Sequence, residues 1–330
     1  KTDKTSNKAY VTVVAVEDTP QRQETNITVN TPVEVISGPG VSGISANGQS
    51  SFTLQKGQVL TLAVSETPGT DPTGMHIKTD GNKVAVFSAH QCANVPSRTP
   101  YCDHMEQQLY PVDTWDKEYV LSKFSPRGQE DDVHRVLAAH DGTKLTTDPP
   151  VSGVDGKTIN AGEYVEFRTK RSVLLKASKP VAAGQFMVGS AYPGIDDGCN
   201  PSSGQTSGCL VTTRCDDPGK NTRIGDPAFL MNVPTTQYRT SYLVQTPDGY
   251  QEDHLNFVAP PDANIKLDGN PLNSSGNSVG STNYRVIQKE VAPGVHHVTS
   301  DKPVGLYAYG YECDVSYAYP GGLNLATSQP

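Results

Sequence analysis

Asp103-His-Met-Glu-Gln-Gln-Leu-Tyr-Pro111-Val-Asp-Thr-Trp115-Asp-Lys-Glu-Tyr119 aligns without a gap with Asp226-Pro-Ala-Phe-Leu-Met-Asn-Val-Pro234-Thr-Thr-Gln-Tyr238-Arg-Thr-Ser-Tyr242, at an offset of 123 residues. The leading Asp, the Pro and the final Tyr are identical, and Trp115 faces Tyr238. Self-similarity at a fixed offset marks a duplicated structural unit. Three further signatures each occur three times, in the same order. An Ala-x-x-Asp ends an apolar run at Ala15/Asp18, Ala138/Asp141 and Ala259/Asp262. An apolar residue stands three before a glycine at Leu54/Gly57, Ile159/Gly162 and Val291/Gly294, where a new strand opens. A Lys-(Pro)-Val then starts a last strand at Lys83-Val84, Lys179-Pro180-Val181 and Lys302-Pro303-Val304. The chain therefore reads as three modules, spanning 1–101, 102–224 and 225–330.

The unit is β. In the middle copy, short Val/Leu/Tyr-bearing runs predict strands over 119–124, 133–139, 143–147, 164–168, 173–177 and 181–188, each bounded by Gly, Pro, Asn or Asp punctuation. Asp-Gly pairs at Asp80, Asp141, Asp155, Asp248 and Asp268 supply the positive-φ positions of tight hairpins. The expected fold class is all-β: three pseudo-repeated β-sandwich-like modules, strung in line or packed into one compact body, with almost no helix. The one helix predicted covers 103–109, with Asp103 as its cap and Glu106 three residues on completing a capping box. The Gly/Ser/Asn-rich stretch 195–224 reads as a disulfide-pinned surface loop, and 38–51 as a similar loop in the first copy.

Composition agrees. Gly (30) and Pro (25) are frequent, and Tyr (15) outnumbers Phe (7) and Trp (1), as suits turn-rich, half-buried pleated surfaces. A net charge of −8 without a basic cluster would repel a phosphate backbone, which argues against nucleic acid as a partner. No apolar stretch approaches the roughly 20 residues that span a bilayer, so this segment is not expected to insert in a membrane. With no signal peptide at its start, the chain reads as a mature fragment of a longer protein. None of the six cysteines forms a C-x-x-C, which leaves zinc and redox chemistry without a motif. Cys92–Cys102, Cys199–Cys209 and Cys215–Cys313 is the favoured pairing, although six cysteines leave many others open. Such bridges place the chain outside the cell.

Each candidate for chemistry meets an objection. Gly276-Asn-Ser278-Val-Gly280 matches a nucleophile elbow, but that motif needs a strand before it and a helix after it, and here both flanks are polar loop. His296 and His297 are adjacent, so a strand would send them to opposite faces. The other histidines, His76, His90, His104, His134, His140 and His254, show no ligand spacing. The acid pairs Asp131-Asp132, Asp196-Asp197 and Asp216-Asp217 lack a scaffold that would hold two carboxylates face to face. Calcium is the one cofactor considered for them, without a spaced Asp-x-Asp-x-Asp loop to support it; otherwise no cofactor, metal or catalytic residue is expected. Gly225-Asp-Pro-Ala228 has alanine where self-cleaving Gly-Asp-Pro-His motifs have histidine, so it reads as a landmark of the repeat. Tyr307, Tyr309 and Tyr311 fall on one face of a strand. They are a speculative surface for stacking on sugars or peptides; the competing reading packs them against a neighbouring module.

Phe87-Ser-Ala-His90-x-Cys92-Ala-Asn-Val-Pro96, the Cys102–Trp115 block, Gly225-Asp-Pro and Tyr309-Gly-Tyr-Glu-Cys-Asp-Val-Ser-Tyr-Ala-Tyr-Pro-Gly-Gly322 together resemble the N-terminal domain of the IgG Fc-binding protein family, particularly its bacterial surface-protein members. The resemblance runs from about Ala9 to Leu325. It implies an extracellular domain of large mucin-like or adhesive surface proteins, with no known catalytic residues. The chain departs from the pattern at Asp116, where glycine commonly follows the tryptophan, at Lys83 in place of proline, and in the loop 195–224. Antibody binding does not follow from the family name. The expected function is a cell-surface binding or adhesion domain, not an enzyme, recognising a glycan, a glycoprotein or a prey or host surface, with any oligomer formed through the parent protein. The rivals are a structural spacer or fibre component and, behind it, an extracellular polysaccharide hydrolase.

Overall fold

The structure, a computed structural model, describes residues 7–20, 22–65, 70–195 and 224–325. In the run Ala9-Tyr-Val-Thr-Val-Val-Ala15, alternation sends Ala9, Val11, Val13 and Ala15 to one face, and all four are buried. This strand, β1 (Ala9–Ala15), lies between β4 (Val59–Ala63) and β6 (Val84–Ala93), and β7 (Asp103–Gln108) closes that sheet beyond β6. A second sheet, ordered β3 (Gly48–Gln55), β2 (Glu24–Thr31), β5 (His76–Thr79), faces it. Val13, Ile27, Val29 and Leu62 fill the space between.

Module 2 uses β8 (Asp116–Leu121), β9 (Asp132–Ala138), β10 (Thr143–Asp148), β11 (Thr158–Ile159), β12 (Tyr164–Thr169), β13 (Val173–Phe186) and β14 (Phe229–Met231) in one curled seven-stranded sheet. Module 3 uses β15 (Arg239–Thr246), β16 (Glu252–Ala259), β17 (Ile265–Leu267), β18 (Asn270–Pro271), β19 (Asn277–Ser278), β20 (Arg285–Val291), β21 (Gly294–Glu312) and β22 (Val315–Pro320) in an eight-stranded one. Cores of Val136, Leu145, Leu175 and Val181, and of Leu255, Phe257, Val298 and Leu306, sit inside these curls. The expected all-β fold of sheet modules is present, and no α-helix occurs among the described residues.

Two expectations are corrected. The segment 103–109 is not a helix: 103–108 is the edge strand β7, paired with Phe87–Ala93 of β6. Asp103 accepts a bond from the His104 amide, but the ladder to β6 and the in-out alternation of His104, Met105 and Glu106 decide the conformation. The runs 173–177 and 181–188 are also not separate. Residues 173–186 form one strand that bends where its register against β8 shifts between Lys176 and Val181. Lys179-Pro180-Val181 marks this bend, as Lys302-Pro303-Val304 marks that of β21, because a proline without an N–H suits a break in the ladder. Only Lys83-Val84 starts a strand outright.

The duplicated segment crosses a junction. Its first part is an edge strand added to the preceding sheet: β7 on β6, and β14 on β13. Pro111 and Pro234 then lead into matching 3-10 turns, 112–114 and 235–237, and the chain enters the next sheet as β8 or β15. The two tyrosines that close the segment act alike. Tyr119 accepts from the Asp116 amide and donates to the Val181 carbonyl; Tyr242 accepts from the Arg239 amide and donates to the Val304 carbonyl.

Candidate functional site

Tyr307, Tyr309 and Tyr311 share a face of β21 as alternation requires, but that face is buried, at 1%, 0% and 1% exposure. As a binding surface they are therefore corrected: residues of β8, β13 and β14 and of the segments beside them cover them. They belong to a core spanning the seam of modules 2 and 3, with Val120, Phe124, Leu230 and Val233 from the module 2 side. Each hydroxyl has a fixed partner, as a buried phenol needs. Tyr307 accepts from the Val233 amide at 3.1 Å, and Tyr309 accepts from the Ser125 amide at 2.8 Å while donating to Asn256. Tyr311 donates to the Ser125 carbonyl at 2.7 Å. Burial pushes all three phenols well up from their usual range.

Gly225 explains the Gly-Asp-Pro landmark. Arg127 lies over the Tyr311 ring, 4.9 Å from its centroid, and donates to the carbonyls of Ile224, Gly225 and Val188. A Cβ on Gly225 would stand 2.5 Å from Arg127 Nη1 and 2.8 Å from Tyr311 Cδ1, at a φ of +83°. Gly225→Ala is expected to cost about 2–4 kcal/mol in urea unfolding, from left-handed strain together with overpacking. Asp226 follows, buried and bonded by the Ser190 amide and hydroxyl, its carboxyl raised by burial. These are packing roles, and no histidine stands where a self-cleaving motif would carry one.

Beneath the seam lies a buried polar cluster that no sequence motif announced. Lys123 reaches Asp132 at 2.6 Å and Glu130 at 3.8 Å, and Asp132 also accepts from the Phe124 amide and from Gln185. Asp131 points elsewhere and accepts from Tyr192 at 2.7 Å, so the Asp131-Asp132 pair does not converge. His134 stacks on Phe167 with neither ring nitrogen bonded, and burial lowers its pKa to about 4 from 6.5. The unfolded chain therefore binds this proton more readily than the folded one. The stabilising effect is complete above about pH 6.5 and is lost as pH falls toward 4, a decline of about 3 kcal/mol. Unfolding free energies measured across that range should fall for the parent and fall less, by about that amount, for His134→Leu.

The remaining candidates are structural. His296 is buried between Asp268 and the Ala292 carbonyl, both 2.9 Å away, while the side chain of His297 faces solvent. Ser278 lies on the short exposed strand β19, and Gly280 is where a Cβ would meet Asp148 at 2.0 Å. The Cys92–Cys102 disulfide forms as expected. Cys313 is also disulfide-bonded, but its partner, and with it Cys199, Cys209, Cys215 and the pairs Asp196-Asp197 and Asp216-Asp217, lies outside the described residues. Among the described residues no group of three or more His, Cys, Asp or Glu is arranged to hold a metal ion.

Among the described residues, concave sites include one of about 460 Å³ lined by Pro96, Arg98, Arg168 and Tyr192, and the following two. Between modules 2 and 3 runs a polar groove of about 390 Å³, lined by Glu118, Thr146, Asp148, Lys176, Asn283 and Tyr284. Glu118 accepts from Tyr284 at 3.2 Å and Thr235 at 3.1 Å and pairs with Lys176 at 3.3 Å. Asp148 accepts from the amide and hydroxyl of Ser281. Between modules 1 and 2 lies an apolar cavity of about 180 Å³, with Met75, Ile77, Val86, Met105 and Phe186 in its wall. Arg135 at its rim binds Asp71, Thr73 and Glu166. Burial, the largest single effect, would raise the Asp71 carboxyl, but the Arg135 guanidinium and the Thr73 hydrogen bonds are among the interactions that together outweigh it and hold it below the usual carboxylate range. Sequence reading missed both sites, because each is assembled from strands of different modules.

No helix among the described residues is long and apolar enough to cross a membrane. No curated protein and no solved structure matches the chain. The family described as IgGFc binding protein matches residues 1–310 of the 330. That family is one of binding domains, typically extracellular, and the Cys92–Cys102 disulfide suits such a setting. The interlocked all-β chain with its Gly225-Asp-Pro and tyrosine-rich seam belongs to the IgGFc-binding protein family.

Proposed function

We propose that the chain is a surface-displayed extracellular domain that binds the carbohydrate of a glycoprotein or cell surface in the groove between modules 2 and 3. The supporting observation is the lining of that groove. Glu118 and Asp148 offer carboxylate oxygens, Asn283 an amide that both donates and accepts, and Tyr284 a ring with a polar tip. Sugar hydroxyls need such a set, few in number and held in place before the ligand arrives. Here Ser281, Thr235 and Lys176 do the holding. Hydrolysis would require a carboxyl able to protonate a leaving group. Glu118 and Asp148 instead carry protein donors, which favours binding over cleavage.

A glycan array, with pull-downs from surface extracts and IgG Fc as one probe, tests this reading. A family of related glycans should bind the chain and compete with one another. Absence of any ligand at about millimolar glycan and micromolar protein would reject it. A spacer role is the second reading, favoured by the continuous core across the seam of modules 2 and 3. It predicts normal folding and array assembly with no competing glycan.

A further inference from the structure

The Lys123 cluster holds more than an ion pair needs. Asp132 presents its two oxygens to different neighbours. Oδ1 faces Lys123 Nζ at 2.6 Å, while Oδ2 accepts from the Phe124 amide and from Gln185 Nε2, both at 2.8 Å. The carboxyl carbon between them is therefore polarised by two fixed N–H donors and lies beside an amine nitrogen. Glu130 completes the group. Its Oε1 lies 3.8 Å from Lys123 Nζ and accepts from the Arg127 amide at 2.8 Å. Its Oε2 is buried and has no hydrogen-bond partner among the described residues. Such an oxygen is costly to bury and is free to receive a proton.

The nucleophile is held as firmly as its target. The Lys123 amide donates to Ser172 Oγ at 3.0 Å, and its carbonyl accepts from Asn256 and Gln288 of module 3, both at 2.8 Å. Gln185, which holds Asp132 Oδ2, also donates to the Ser122 carbonyl at 2.8 Å. Two reacting groups fixed in this way gain many powers of ten in effective concentration. Burial supplies the driving force. In water an ammonium and a carboxylate stay apart as ions, because each is well hydrated. Within the seam both charges carry a desolvation cost that their attraction offsets only in part. Joining them cancels both charges and releases one water to solvent.

We propose that Lys123 and Asp132 condense into an intramolecular isopeptide bond, with Glu130 as the proton carrier. The ion pair is the state before condensation. Its short hydrogen bond passes one proton from Nζ to Oδ1, leaving a neutral amine beside a carboxylic acid. The amine lone pair attacks Cγ and forms the Nζ–Cγ bond, and the charge developing on Oδ2 is met by the Phe124 and Gln185 N–H groups. Glu130 takes a second proton from the nitrogen and delivers it to the Oδ1 hydroxyl. The Cγ–Oδ1 bond then breaks and Oδ1 departs as water. Glu130 ends as it began, the third ammonium proton stays on the amide nitrogen, and no oxidant, reductant or co-reactant is consumed. The bond closes the connection between β8 and β9. That connection carries Ser125 and Arg127, which bond Tyr309, Tyr311 and Gly225, so the crosslink locks the loop on which the seam is built. The inference is independent of the carbohydrate reading.

The test is the intact mass of the full chain, kept folded at neutral pH and then reduced and denatured. A mass one water below that of the sequence is expected. Trypsin should then release 118–127 joined to 128–135, because a bonded Lys123 offers no cleavage site, and fragment ions should place the link at Lys123 and Asp132. Lys123→Arg keeps the positive charge but should stay at its full mass. Glu130→Gln keeps an acceptor for the Arg127 amide and should be isolated largely unlinked, with bond formation at least about a hundredfold slower at an unchanged circular dichroism spectrum. A folded parent at its full sequence mass would overturn the proposal. So would a water loss that maps to Glu130 or to an Asp-Gly succinimide, or a Glu130→Gln chain as fully linked as the parent.

Discussion

Tyr309→Ala is expected to destabilise the chain by about 3–5 kcal/mol, the range for deleting a large buried aromatic ring. Tyr309 is fully buried, packs edge-on against Phe124 at 4.8 Å and stacks with His254 at 5.3 Å. Its hydroxyl ties Asn256 of module 3 to the Ser125 amide of module 2. Alanine would leave a cavity at the seam and two buried polar groups without partners, so the loss should appear in urea unfolding and as faster hydrogen exchange at 122–126 and 254–258. Tyr309→Phe keeps the ring and should cost about 1–3 kcal/mol. If alanine and phenylalanine variants were equally mild, the tyrosine face would not be the core described here.

Lys123→Met should cost a similar amount, about 3–5 kcal/mol, for an electrostatic reason. The Lys123, Glu130 and Asp132 side chains are only 11%, 2% and 3% exposed. Removing the ammonium leaves two buried carboxylates with Arg127, 3.6 Å from Glu130, as the remaining nearby cation. Paired replacement, Lys123→Met with Asp132→Leu, removes the charge along with its partner and should recover a large part of the loss. Chemical denaturation of the three variants as a double-mutant cycle measures the coupling directly. Additive losses would mean that Lys123 acts on its own rather than through Asp132.

The contrast between these residues shows what the sequence made legible. Alternation placed Tyr307, Tyr309 and Tyr311 on one face, because the period of a strand is local. What covers that face is not local: Val120 and Val233, more than sixty residues away in the chain, decide that it is a core rather than a binding surface. The repeat was legible for the same reason, since Ala-x-x-Asp and Lys-Pro-Val are strand ends and bends written in a few adjacent residues. At 103–109 a capping pattern lost to the open edge of β6, a competition that local propensity does not register. The Lys123 cluster lay hidden because Lys123 and Asp132 meet only when the loop between β8 and β9 folds back. A lysine two residues after the apolar run 119–121, and an acid directly before Val133, were the available hints. The groove and the cavity had no local signature at all.

The central functional claim is that the groove between modules 2 and 3 is where carbohydrate binds. Calorimetric titration of the best array glycan into the parent chain and into the double variant Glu118→Gln, Asn283→Ala tests it most directly. The variant is expected to keep the parent's melting temperature within a few degrees and to lose at least about tenfold in affinity, the share of two ligand hydrogen bonds. Undiminished affinity in a folded variant would contradict the claim and place the ligand elsewhere on the chain.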